Sequence, residues 1–61
     1  MEDKRAKFLG IYANVPDKLR DDILVVVDKK PYTWSASYLE VKNNSILGKK
    51  ILKTLEEIGI L

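Results

Sequence analysis

Lysines dominate the one stretch of this 61-residue chain whose residue types and spacing suggest chemistry. From Val41 to Leu55 there are four of them, Lys42, Lys49, Lys50 and Lys53, and no acid. Ammonium groups suit phosphate oxygens, and contacts of that kind position a protein on nucleic acid without reading its sequence. A second group, Tyr32, Trp34 and Tyr38, with Phe8 and Tyr12 further up the chain, offers rings able to stack on bases or line a groove. The same rings are also the large residues that a very small core needs.

Catalysis has little to draw on. The chain has no His and no Cys, which removes the commonest general base, the triad arrangements, thiolate sites and nearly all zinc chemistry. Asp21, Asp22, Asp28 and Glu40 are available acids, but adjacent Asp21 and Asp22 point apart on a helix and nothing orients two acids to one pocket. Gly48-Lys49-Lys50 lacks the rest of a phosphate-binding loop. The expectation is therefore a non-enzyme with no metal, no cofactor and no small-molecule substrate. Any role is carried by a surface.

The elements that must present that surface follow from periodicity. Phe8, Ile11, Tyr12 and Val15 recur at the spacing of one helical face, over about residues 2–14, with Glu2 and Asp3 at the end the helix dipole prefers. Pro16 suits the first turn of a second helix, and Leu19, Ile23, Val26 and Val27 continue it at helical spacing over about 16–27. The run Ile23 to Val27 also has the β-branched character of a buried strand. Residues 32–41 alternate as a strand would, but the preferred reading is a helix, with Thr33 as its N-cap and Trp34, Tyr38 and Val41 on one side. Asn43-Asn44 offers a helix stop. Ser45 caps a last helix over about 46–58, with Leu47, Ile51, Leu55 and Ile58 as its apolar stripe and Gly59 just beyond it. Its lysines come first and its glutamates last, against the macrodipole. A helix whose first half meets phosphates would carry charges in that order.

Length and composition bound the rest. A chain this short forms one domain, spanning residues 1–61, and buries only about 60% of its unfolded surface. Its net charge of +2 and its 46% hydrophobic residues are ordinary for a folded domain. Nine lysines, six isoleucines and no Gln lean towards a thermophilic composition. The longest apolar run has five residues, Ile23–Val27, against the roughly 20 that span a bilayer. The charged N-terminus leads into no apolar segment of the kind a signal peptide has. The expectation is a cytoplasmic protein without membrane contact.

Residues 33–61 resemble the helix-turn-helix core of winged-helix DNA-binding regulators. The likeness lies in a Thr33-capped short helix, a tight turn, and a last helix closing on Leu55-Glu-Glu-Ile-Gly-Ile-Leu61. No wing is expected within these residues. The resemblance implies double-stranded DNA as partner, with Asn44, Ser45, Lys49, Lys50 and Lys53 in contact and Lys42 on the flank. The expected fold is all-α, about four short helices with the last two as helix-turn-helix; α+β with a hairpin at 23–41 is the alternative. The rival function is a protein-interaction or structural module that forms a homodimer through Ile46, Leu52, Ile60 and Leu61 and binds no nucleic acid.

Overall fold

A computed structural model of the chain describes residues 3–61, with Asp3 described by its backbone only. In order it has helix α1 (Asp3–Ala13), a single 3-10 turn at Asp17–Leu19, strands β1 (Ile23–Val27) and β2 (Lys30–Thr33), and helices α2 (Trp34–Lys42) and α3 (Ile46–Glu57). The class is α+β, which corrects the all-α expectation. Glu2, expected at the start of the first helix, lies outside the described residues.

The expected second helix over 16–27 is replaced by the 3-10 turn and β1. The proposed helical face (Leu19, Ile23, Val26 and Val27) explains why. Leu19, Ile23 and Val26 are all exposed, whereas Val25 and Val27 are buried. Alternation wins because five consecutive aliphatic residues, four of them β-branched, fit a pleat better than a helix. β1 pairs antiparallel with β2 from Val27–Lys30 outward, with a register irregularity at Leu24. Asp28 and Lys29 form the two-residue turn, both at positive φ, 52° and 68°. Both φ signs match the mirror-image turn that short hairpins prefer. Asp tolerates that conformation, but Lys29 stands where Gly is usual.

The hairpin ends at Thr33 rather than at residue 41. Thr33 closes β2 and caps α2 at once, its hydroxyl accepting the Ala36 amide at 3.0 Å. The first two amides of α2, Trp34 and Ser35, donate to the carbonyls of Asp22 (3.2 Å) and Arg20 (3.1 Å). The strand and helix readings of 32–41 thus hold in succession along the chain.

Between α2 and α3 there are three residues. Asn44 takes the left-handed conformation, φ 53°, its amide donating to Val41 O, while the Ser45 amide donates to Glu40 O. These two bonds form a Schellman ending. Ser45 also caps α3, accepting the Gly48 amide at 2.9 Å. The close approach falls on Gly48, where a Cβ would lie 2.3 Å from Glu40 O. α3 ends the same way at Gly59, φ 90°, with the Ile60 amide on Leu55 O and Leu61 packed back on the core.

The core comprises Phe8, Val25, Val27, Val41, Ile51, Leu52 and Leu55, with Tyr12, Tyr32, Trp34, Tyr38 and Leu61 half-buried around it. Leu52 is only 4% exposed. Its burial removes it from the apolar surface expected with Ile46, Ile60 and Leu61, of which Ile46 and Ile60 are exposed. Ser37 is also fully buried, its hydroxyl unpartnered, and serves as the small residue midway along α2.

Two substitutions test these joints. Gly48→Ala should lower the unfolding free energy by about 3 kcal/mol, because the clash is with backbone that cannot rotate away. An unchanged urea midpoint would disprove the close approach. Lys29→Gly should raise stability by about 1 kcal/mol, since it relieves a left-handed lysine. The same denaturation series reads it, and a lowered midpoint would count against the turn.

Candidate nucleic-acid interface

The candidate lysines are divided by α3 between two sides. Lys49 and Lys53, four residues apart, fall on one side of the helix and are exposed. With Lys4, Leu52 and Glu56 they line a groove of about 360 Å³ between α1 and α3. Lys4 reaches Glu56 at 2.8 Å across that groove. Among the described residues no ion pair engages Lys49 or Lys53.

Lys50 points the other way. Its Nζ meets the Asp28 carboxylate at 3.0 Å, tying the hairpin turn to α3. Both groups are more than half exposed, so the pair contributes at most about 1 kcal/mol. It nonetheless occupies a charge that the sequence alone had offered to phosphate.

The turn residues are also partly used. Ser45 Oγ accepts from Gly48 and donates towards Glu40, whose Oε1 lies 2.6 Å away. The Glu40 carboxyl group thus sits at the start of α3, where the helix dipole favours an anion. Asn44 is exposed, its position set by its left-handed backbone. Lys42 is exposed at the end of α2, its Nζ 5.8 Å from the Tyr38 ring centre.

Arg5 is a contributor that sequence reasoning missed. Its Nε and Nη2 donate to the carbonyls of Val41 (3.1 Å) and Lys42 (3.0 Å). A guanidinium there gives the Lys42 carbonyl a donor, adds a second donor to the Val41 carbonyl beside the Asn44 amide, and complements the negative pole of the helix. It also brings the start of α1, with Lys4, alongside Lys42 and the lysine side of α3. Lys4 precedes Phe8 by one helical turn, so the sequence showed its face of α1. Nothing local showed that this face would meet α3.

Tyr32, Trp34 and Tyr38 do not line an open groove. Tyr38 stacks on Tyr12 with ring centres 4.3 Å apart and planes 11° from parallel. The Arg20 guanidinium lies 4.5 Å from the Tyr12 centre, and Phe8 stacks with Trp34 at 6.2 Å. Tyr32 packs on the core. The rings fasten α1 to α2 and leave their stacking neighbours inside the chain.

Among the described residues no group of three carboxylates could hold a metal ion, and no helix is long and apolar enough to cross a membrane. No protein-family model matches the chain, and neither the curated proteins nor the solved structures contain a significant match to it.

The aromatic assignment is directly measurable. Tyr38→Ala should cost about 2 kcal/mol of stability, since it removes a half-buried ring and its stacking partner's contact. Lys53→Ala, on the exposed face, should change stability by less than about 0.5 kcal/mol. Comparable thermal midpoints for the two variants would contradict the assignment.

Proposed function

We propose that this chain is a small, non-enzymatic, cytoplasmic DNA-binding or regulatory module that holds the phosphates of duplex DNA on the lysine side of α3. The observation that carries the reading is the exposure of Lys49 and Lys53, without ion pairs among the described residues, on the second helix of a tight helix-turn-helix. Lys42 and Asn44 flank them at the end of α2 and in the turn. Lys50 is held by Asp28 and is not counted among the contacts. The hairpin precedes the two helices in the chain, so the likeness to winged-helix regulators rests on α2, the turn and α3.

The arginines bear on what kind of binding this is. Arginine to guanine is the commonest base-specific contact. The chain has two arginines. Arg5 is bonded to helix carbonyls, while Arg20 lies over Tyr12 and pairs with Asp17 at 3.1 Å. What remains is lysine on phosphate, which gives affinity with little preference among sequences.

A salt titration with duplex DNA tests this. Three lysines each neutralising one phosphate give a slope of log K against log salt of about −2.7. Lys49→Ala and Lys53→Ala should each make it shallower by about 0.9, and Lys50→Ala should leave it unchanged. Absence of binding in low salt, or an equal effect of all three variants, would refute the proposal.

A further inference from the structure

We propose that the free edge of β1 is a homodimerisation surface, where a second copy of this chain adds its own β1 antiparallel about a two-fold axis at Val25. The inference does not depend on nucleic-acid binding. It starts from the two-stranded sheet, in which β1 and β2 each have one edge without a strand partner among the described residues.

The two edges differ. Val27 and Lys30 flank a two-residue turn, so they form the pair that exchanges backbone hydrogen bonds. The next pair, Val26 and Pro31, is then the non-bonded kind, whose backbone groups point outward. On β2 that outward residue is proline, which has no N–H to offer and blunts the edge. On β1 it is Val26, which presents both N–H and C=O. Strands at open edges are ordinarily protected by charge or proline, and Ile-Leu-Val-Val-Val has neither. Its Ile23 and Val26 are 62% and 58% exposed.

Charge says what covers this edge. Asp21 and Asp22 precede β1, and Lys29 and Lys30 follow it. Among the described residues none of the four has an ion pair. A strand that is acidic at one end, basic at the other and uncharged between complements itself when turned end for end. Pairing about Val25 sets Val26 against Leu24 of the second copy and Ile23 against Val27 of the second copy. Both exposed aliphatic side chains thereby gain apolar partners. The same register brings Asp21 against Lys29 of the second copy, twice by symmetry. Asp22 then faces Asp28 of the second copy, whose charge Lys50 already meets at 3.0 Å. A parallel pairing would oppose acid to acid and base to base.

Sedimentation of the full chain from micromolar to millimolar protein tests the proposal. The mass should rise from 7.0 kDa towards twice that value. Val26→Lys, at an exposed side chain, should hold it at monomer with an unchanged circular-dichroism spectrum. Ile46→Lys, at the most exposed apolar residue, should leave association intact. Asp21→Lys and Lys29→Asp should each weaken self-association about tenfold, and an equimolar mixture of the two should recover it as a heterodimer. The double variant with Asp21→Lys and Lys29→Asp in one chain should also recover it; that recovery is specific to antiparallel pairing, and it decides the matter even where Val26→Lys fails to fold. A monomer at every concentration, a dimer that survives Val26→Lys, or no recovery on mixing would each overturn the proposal.

Discussion

The contact between Gly48 and the carbonyl of Glu40 is the constraint around which the C-terminal half is built. That carbonyl oxygen lies well inside van der Waals contact distance of where any side chain would begin, and it also accepts the Ser45 amide. Ser45 is consequently the last residue of one helix ending and the first of the next helix, with backbone serving α2 and hydroxyl serving α3. A three-residue connection leaves the two helices little freedom, so their angle follows from local bonding more than from the core. This matters in a chain whose core has seven apolar side chains among the described residues. Caps and turns supply definition that burial alone is too small to give.

The hairpin is attached to this pair by few links, each from a different element. Thr33 joins it covalently and by capping to α2, Asp22 and Arg20 lend their carbonyls to the first amides of α2, and Asp28 reaches Lys50 on α3. Val25 and Val27 then lie against the core while Val26 faces out. An isolated two-stranded hairpin is marginal in water. Here it survives because its turn, its end and one face are all held by helices. Among the described residues no strand completes the outer edge of β1 or that of β2, and only the edge of β2 is blunted by a proline, Pro31.

How much of this was legible depends on whether the signal was local. Thr33, Ser45, Asn44 and Gly59 announce their roles through residue type, and each has the backbone or bond that its type implies. The last helix needed only its own stripe. The strand β1 was harder, because Leu19, Ile23, Val26 and Val27 satisfy a helical spacing by coincidence. Its deciding feature is a turn of Asp28-Lys29, which lacks the glycine that normally marks such a hairpin. At the site, composition identified the lysines but could not sort them. Whether Lys50 faces solvent or Asp28, and whether Arg5 joins α2, depends on elements far apart in sequence.

That sorting is what separates the charges the fold uses from those it leaves. Arg5 closes a helix, Lys50 holds the hairpin turn, and Arg20 lies over Tyr12. Lys49 and Lys53 on α3, and the acidic and basic ends of β1, are left without ion pairs among the described residues. The two sets lie on different elements, so a change to one does not remove the charges of the other. They are nevertheless linked by packing, because α3 lies against β1. A two-fold axis through a sheet edge keeps the core faces of both copies on one side. The α3 of each copy would then lie on that same side. On the two proposals taken together, a dimer would hold two sites of three phosphate contacts each on one duplex, and the second site would add avidity to the first. Pairing at the free edge of β1 would then serve the lysine face of α3 as well as the sheet.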